Sequence, residues 1–222
     1  MESRAHPIYH FCLDFLSILV PYMPFEIRPF HPSDLPSLYK ICLLTADNGR
    51  DATSLYENDE LVGHFFSAPY AILNPDMCFV ATCNGEPCGY IVSTANSKMF
   101  SARCEDEWLP VLRERYPLDQ YKGHSASDWV VGKIHQGHAP RPEFDRYPAH
   151  FHINCLPETQ GFGLGKKLMM ALIERLTASK VSGVHLEVST VNTGAIKFYE
   201  KLGFQKIATF EHSLGYGMSL NP

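Results

Sequence analysis

The stretch "LPETQGFGLGKKLM", residues 156–169, decides the fold of this chain. Three glycines, Gly161, Gly163 and Gly165, alternate with bulkier residues just before a run of residues with helical spacing. A glycine turn of this kind lets backbone N–H groups approach an anion, and the following helix adds its unpaired donors and positive dipole end. Each dipole interaction contributes only ~0.3 to 1 kcal/mol, so several must act together. The stretch therefore predicts a ligand that carries phosphate.

The spacing of the glycines distinguishes three phosphate-binding motifs. A P-loop needs a glycine at position 160 and a hydroxyl after the glycine–lysine pair, and this chain has glutamine and lysine there. A dinucleotide fingerprint needs its last glycine at position 166, which is lysine, and an acidic residue earlier than Glu187. The pattern that fits is Q-x-x-G-x-G, formed by Gln160, Gly163 and Gly165.

Composition limits the class of protein. The chain has 222 residues, of which 45% are hydrophobic and 19% charged, as in an ordinary globular domain. A net charge of -5 and the absence of a basic run longer than Lys166-Lys167 argue against a nucleic-acid partner. Seven cysteines without a C-x-x-C pair favour reduced thiols in a cytoplasmic protein, with the nucleus as an alternative. The histidines supply only His150-x-His152, so no metal site is predicted.

The first 23 residues have an uncertain status. The segment "HFCLDFLSILVPYM" is apolar, but Asp14 and Pro21 interrupt it, so we predict neither a membrane span nor a secretory signal. It is either an additional amphipathic helix that packs on the domain or on a partner, or an artefact of the gene model. The clean strand pattern of "MPFEIRPF" favours the second interpretation, with translation starting at Met23.

From residue 24 onward the chain alternates strand and helix patterns, which predicts one α/β domain over 24–222 with an insertion at about 97–147. Strands are predicted at 25–30, in a hairpin over 78–95 around Asn84-Gly85, and at 149–156, 184–188, 206–210 and 216–220. Helices are predicted at 35–46, around 59–68, and at 97–115, 163–180 and 192–202. Residues 117–147 are predicted to be irregular, with a helical patch near 127–135, and to form either a functional lid or a flexible insertion.

A second motif gives the glycine turn its meaning. The stretch "VNTGAIKFYEKLGF", residues 191–204, predicts a helix with Asn192 near its start and Tyr199 on its apolar face. Together with the glycine turn, it resembles the two signature motifs of the GNAT superfamily of N-acetyltransferases. Within that superfamily, "IRPF", "LYKIC", "GEPCGY" and "FYEKLGF" resemble the acetyltransferase-like C-terminal domain of O-GlcNAcases and its stand-alone microbial relatives. The sequence contains no glycosidase region, so we do not expect hydrolase activity.

The resemblance implies a fold of the α/β (α+β) class. We expect a central, mixed but mostly antiparallel twisted sheet of 6–7 strands, flanked by helices and splayed between the fourth and fifth strands. It also implies acetyl-CoA as a cosubstrate in that splay. By position, the cofactor-binding residues would be Ile153, Asn154, Cys155, Leu156, Gln160, Gly161, Phe162, Gly163, Leu164, Gly165, Lys166, Asn192 and Tyr199.

The chemistry of acetyl transfer requires an acid and a base. The resemblance puts Tyr199 near the thioester sulfur, where it would protonate the leaving thiolate. A lysine-like acceptor with a pKa of about 10.4 must lose a proton before attack, which costs roughly 4.6 kcal/mol at pH 7. A general base is therefore expected.

Several residues are candidates for that base. Asp47 is preferred, Asp51 lies in the same loop, and His150 and His152 lie on the fourth strand. In the stand-alone relatives we expect an aspartate at the position of Asn154, and an amide cannot act as a base. Either the base lies elsewhere, or turnover is slow or absent.

The predicted function is transfer of acetyl from acetyl-CoA to a primary amine, on a protein lysine or a small molecule. The alternatives are a weakly active or inactive acyl-CoA-binding or protein-interaction module, and a nucleotide-binding protein. The closing strands and the apolar N-terminal segment leave a homodimer open. Acceptor contacts are predicted in the insertion from Trp129, His124, His135 and His138.

Overall fold

The computed structural model describes residues 25–123 and 125–220, so the predictions for residues 1–23 and for His124 lie outside the described residues. Seven strands form a single sheet: β1 Phe25–Pro29, β2 Phe79–Cys83, β3 Glu86–Thr94, β4 Ala149–Cys155, β5 Gly183–Ser189, β6 Gln205–Thr209 and β7 Ser213–Ser219. Their order is β1-β2-β3-β4-β5-β7-β6, with every neighbouring pair antiparallel except β4–β5. The predicted mixed, mostly antiparallel sheet is confirmed.

The helices are α1 Leu35–Leu43, α2 Leu61–Phe66, α3 Ala68–Leu73, α4 Ser97–Arg103, α5 Leu109–Arg115, α6 Ala126–Gln136, α7 Leu164–Ala178 and α8 Thr193–Lys201. The sequence predicted one helix over 97–115, but the structure has two, α4 and α5, which a π-helical turn, Cys104–Trp108, separates. Pro110 lies in the first turn of α5, where its missing N–H is tolerated. Because it has no N–H to donate, it cannot continue the hydrogen bonds of the preceding helix. Pro69 likewise starts α3, a helix that the sequence did not predict.

The helices cover both faces of the sheet. One face packs against α1, α2, α3, α5 and α6 in a core that contains Leu38, Ile41, Tyr90 and Phe100. The other face packs mainly against α7, with Tyr199 of α8 buried in the same core. Because side chains alternate along a strand, β4 presents Phe151 to the α7 face and its two histidines to the α1 face.

The insertion contributes to the core of the domain. Helix α6 begins with a capping box at Ser125 and confirms the predicted helical patch, while the rest of 117–147 is largely irregular as expected. Val130, Val131 and Ile134 of α6 are fully buried. Arg113 of α5 also fixes α6, because its guanidinium donates to the Ile134 carbonyl at 3.1 Å. Within the part of the chain that the structure describes, no helix is long and apolar enough to cross a membrane.

Candidate active site

The sheet opens into a wedge between β4 and β5. The two strands pair only at Ala149 with Val184 and at His150 with His185. Beyond these pairs β5 continues to Ser189 beside β7, and β4 continues to Cys155 beside β3. The predicted splay between the fourth and fifth strands is confirmed, and it opens toward the carboxyl ends of both strands.

The backbone of β4 faces this wedge at alternate residues. Leu156 N–H donates to the Cys88 carbonyl of β3 at 2.9 Å. In an antiparallel ladder the bonded residues alternate, so the polar backbone groups of Ile153 and Cys155 point away from β3 and toward the wedge. The Cys155 carbonyl already accepts a hydrogen bond from Gln160 Nε2 at 3.2 Å. The peptide groups of Ile153 are thus available to an extended ligand.

The glycine turn follows β4 and has two glycines that require a left-handed backbone. Gly161 has φ 84° and Gly163, the N-cap of α7, has φ 76°. Apart from the adjacent residues in the chain, no atom of the described residues lies within 4 Å of a Cβ built on either glycine, so both border open space. Gly165 differs, because its Cβ would lie 3.3 Å from Phe198 Cζ. We expected the missing side chain of Gly165 to leave room for a ligand. The structure adds a second reason for glycine at this position, which is the close packing of α7 on α8.

The N-terminus of α7 presents backbone N–H groups that have no partner among the described residues. The backbone N–H groups of residues 161–166 find no acceptor within 25–123 or 125–220. The first N–H to form a bond belongs to Lys167, which donates to the Gly163 carbonyl at 3.1 Å. Six consecutive donors therefore remain for a ligand at the positive end of a 15-residue helix.

The other predicted residues of this turn contribute in different ways. Leu164 is buried in the core, so only its backbone faces the turn. Phe162 is 55% exposed and its ring lies 5.2 Å from that of Phe25. Lys166 is exposed beside the six donors, and Leu156 packs between the two cores. The whole turn thus offers peptide donors, one cation and one exposed ring.

Helix α8 lies on the α7 side of the wedge. Tyr199 is buried against Phe151 and Phe204, with ring centroids 6.0 and 5.8 Å away. Burial raises the pKa of the Tyr199 phenol, so the group is protonated at neutral pH. Its hydroxyl forms no hydrogen bond with the described residues. Asn192 caps α8 through Oδ1, which accepts from Ala195 N–H at 3.1 Å, and no hydrogen bond of its Nδ2 is found among the described residues.

His150, on the α1 side of β4, is held as a neutral ring. Ser97 Oγ donates its single proton to the Pro148 carbonyl at 2.7 Å, so it accepts from His150 Nδ1–H at 2.6 Å. Nε2 of His150 then accepts from the Tyr70 hydroxyl at 2.8 Å. Burial lowers the pKa of His150 well below its usual value. Both ring nitrogens are occupied, which supports a structural role rather than that of a base.

His152, the other predicted histidine of β4, lies on the same side of the strand as His150. It is half-buried, and its ring meets Phe66 and Tyr70 edge-on at 5.4 and 5.3 Å. Phe66 in turn stacks on the exposed ring of Trp129 at 5.7 Å, which brings one predicted acceptor contact near β4. Burial lowers the pKa of His152 to about 4, so the imidazole is neutral at pH 7. It is a weak proton acceptor.

Two other histidines of the insertion face inward. His138 stacks on Phe65 at 4.0 Å with its Nε2 buried, and burial lowers its pKa to about 3. His135 Nε2 lies 2.9 Å from the Tyr116 carbonyl. Both side chains are engaged within the domain, so the structure brings neither to an acceptor surface.

The residues 45–50, here called the acceptor loop, meet the end of β4. Asn154 Nδ2 donates to Thr45 Oγ1 at 2.6 Å, and Gln160 Nε2 lies 3.4 Å from the Gly49 carbonyl. The Asp47 carboxylate in this loop is 31% exposed and pairs with Arg50 at 2.9 Å. Asp51 instead accepts from the Thr53 N–H and hydroxyl, and these bonds lower its pKa.

Sequence reasoning missed Thr45, Phe66, Tyr70 and Ser97, which surround the β4 side chains. No local pattern marks them, because each reaches β4 from a helix or helix end distant in sequence. The described residues contain no group of three metal-binding side chains.

This combination of splayed sheet, glycine turn and following helix defines an acetyltransferase fold. The acetyltransferase (GNAT) family model matches residues 15–204, and the chain belongs to this family. The crystal structure of SsHAT is similar at a TM-score of 0.83 and 34% identity, over 89% of this chain and 99% of that one. The resemblance to GNAT acetyltransferases is confirmed.

Curated relatives give the same family. The O-GlcNAcase of Rattus norvegicus is 27% identical over 190 residues, which cover 84% of this chain and 21% of that protein. A mycothiol acetyltransferase of Arthrobacter sp. (strain FB24) is 35% identical over 106 residues, 48% of this chain and 31% of that protein. The chain thus spans between a fifth and a third of the length of these two relatives. The structure of yncA from Salmonella typhimurium with its cofactor acetyl-CoA shares the fold alone, at a TM-score of 0.51, 14% identity and coverage of 89% and 94%.

Proposed function

We propose that this chain binds acetyl-CoA and transfers the acetyl group to a primary amine, on a protein lysine or a small molecule. The observation that carries the proposal is the row of six unpaired N–H groups at residues 161–166, directly beside the wedge between β4 and β5. A site with these donors fits the pyrophosphate of a coenzyme A, and the exposed Lys166 adds a positive charge.

The remaining cofactor contacts follow from the backbone. The peptide groups of Ile153 and the N–H of Cys155 would bind the amides of the pantetheine arm along β4. Asn192 Nδ2 would donate to the same arm from the opposite side of the wedge. These contacts would hold the thioester between β4 and Tyr199.

Acetyl transfer forms a bond between the amine nitrogen and the acetyl carbon and breaks the bond between that carbon and sulfur. Tyr199 would donate its phenolic proton to the departing thiolate, and the buried site keeps this proton in place. The amine proton passes to a base, for which we propose Asp47. Its carboxylate lies in a loop fixed to the end of β4, where it pairs with Arg50 at 2.9 Å.

His152 is the second candidate for the base. With a pKa of about 4, its imidazole would take a proton from a lysine-like amine against a difference of about 6 pKa units. A carboxylate with the ordinary pKa of about 3.9 faces a difference of the same size, so basicity does not separate the two candidates, and we propose His152 as the alternative base in the wall of the acceptor site.

A second function is favoured by one observation. Asn154 carries an amide whose donor is engaged with Thr45, so β4 offers no carboxylate to the acceptor. A domain that binds acyl-CoA without turnover, as an interaction module, would have this arrangement.

Two measurements separate these functions. Titration calorimetry with acetyl-CoA tests the binding site, and we expect saturable binding that excess ATP does not displace. Release of free CoA thiol is then measured against a panel of amines and lysine peptides. An acceptor that raises thiol release above background hydrolysis supports the transferase. Binding without any such acceptor supports the interaction module, and no binding at high micromolar acetyl-CoA contradicts both.

A further inference from the structure

Two side-chain amides join the acceptor loop to the cofactor strand. We propose that Asn154 and Gln160 are positioning residues that hold the acceptor loop against the end of β4, so that cofactor binding orders the loop that carries Asp47. This inference rests on the proposed function, because it assigns the loop to the same site.

The bond between Asn154 and Thr45 has a fixed direction. Thr45 Oγ1 lies 2.6 Å from the Ile41 carbonyl, which can only accept, so the single hydroxyl proton is used there. The oxygen of Thr45 is then the acceptor for Asn154 Nδ2 at 2.6 Å. Thr45 is 3% exposed, which shelters this pair from water. An amide at position 154 therefore matches its partner, whereas a carboxylate would set two acceptors against each other.

Thr45 also begins the tight turn that carries Asp47. The Thr45 carbonyl accepts from Gly49 N–H at 2.9 Å, and Asp47 and Arg50 exchange two backbone bonds of 3.1 and 3.0 Å. Asn48 and Gly49 adopt φ of 51° and 88°, as a tight turn requires. A constraint on Thr45 thus fixes the position of the Asp47 carboxylate.

Gln160 connects the same loop to the glycine turn. Its Nε2 lies 3.4 Å from the Gly49 carbonyl and 3.2 Å from the Cys155 carbonyl. Gln160 is also the residue immediately before the six unpaired N–H groups. A ligand held by residues 161–166 would restrain Gln160, and through it the acceptor loop. By linkage, an ordered loop would in turn favour the cofactor.

Hydrogen exchange of the acceptor loop tests the inference without reference to activity. In the wild type we expect exchange at the Gly49 and Arg50 amides to slow when CoA is added. Thr45→Val removes the hydroxyl at nearly constant volume and should speed exchange at these amides about tenfold. Thr45→Ser keeps the hydroxyl and should restore wild-type exchange. Asn154→Ala should behave like Thr45→Val.

Kinetics provide a second readout. Thr45→Val should lower kcat/KM for the acceptor about tenfold and, by the same linkage, weaken the binding of acetyl-CoA, while the pH midpoint of the reaction stays constant. Asn154→Asp should not raise activity, because the carboxylate cannot donate to Thr45. A rise in kcat/KM with Asn154→Asp would overturn the inference, since it would make position 154 the site of a base.

The failures of the two proposals are distinguishable. If CoA binds but leaves the exchange of the acceptor loop unchanged in the wild type, the inference is wrong and the proposed function stands. If CoA does not bind at all, the proposed function fails. Equal loop exchange in the wild type, Thr45→Val and Asn154→Ala would also contradict the inference.

Discussion

Gly163 combines a left-handed backbone with open space in front of its Cα, so a methyl group there would enter the ligand site. We predict that Gly163→Ala lowers stability by about 1 kcal/mol through backbone strain and weakens CoA binding more than about tenfold. Gly85 is a matched control, since it has φ 85°, open space and a position in the β2–β3 turn. Gly85→Ala should cost similar stability and leave CoA affinity unchanged. Denaturation and calorimetry measure both effects, and equal CoA affinity in the two variants would contradict the prediction.

Tyr199 contributes a hydroxyl that forms no hydrogen bond within the described residues. We predict that Tyr199→Phe lowers kcat by about a hundredfold, as for loss of a general acid, with little change in stability or CoA affinity. Tyr216 is the control, because its hydroxyl bonds Glu200 at 2.8 Å on the α8 surface. Steady-state kinetics should show normal turnover for Tyr216→Phe. Undiminished turnover in Tyr199→Phe would show that Tyr199 is not the general acid.

Asp47 and Asp51 form a matched pair of carboxylates four residues apart. We predict that Asp47→Asn lowers kcat/KM for the amine about a hundredfold, because the acceptor loses its base. Asp51→Asn should keep normal activity, since Asp51 only caps the Thr53 turn. The pH dependence of kcat/KM checks the role of Asp47. A larger loss in His152→Gln than in Asp47→Asn would transfer the role to His152.

At the scale of elements, strands and helices with a regular hydrophobic period were predictable from sequence. Helices α7 and α8 and strands β4 and β5 follow the expected pattern closely. The split of α4 from α5 and the start of α3 were not predicted, because a proline both ends one helix and suits the first turn of the next. A candidate cofactor side of the site could be proposed from the sequence because most of its residues are nearly contiguous. The acceptor side could not, since Thr45, Phe66 and Asn154 meet only through tertiary packing.

At the scale of the whole molecule, several histidines are held neutral. Burial lowers the pKa of His64 and His152 to about 4 and that of His138 to about 3, and it lowers that of His150 well below the usual value. In the unfolded chain these groups titrate near pH 6.5. A lowered pKa in the folded state means that stability is fully present above pH 6.5 and falls as the pH drops toward 4.

We therefore predict a steep loss of stability between pH 6.5 and pH 4. Each of these histidines contributes up to about 1.4 kcal/mol per pH unit in this window, less where water screens the ring. Urea unfolding at pH 7, 6 and 5 measures the slope. His212→Gln, at a side chain that is 88% exposed, should leave the slope unchanged, and His138→Phe should reduce it. A flat profile from pH 7 to 5 would contradict the prediction.

The wedge between β4 and β5 also has a mechanical consequence. These strands share two residue pairs, whereas β3–β4 share six and β5–β7 share seven. The sheet therefore consists of two plates. One contains β1, β2, β3 and β4, the other contains β5, β7 and β6, and only the short β4–β5 pairing joins them. A small tilt of one plate against the other breaks few residue pairs, so we expect the angle between the plates to change more easily than the pairing within either plate. We expect a ligand that fills the wedge to act as a spacer and to fix that angle.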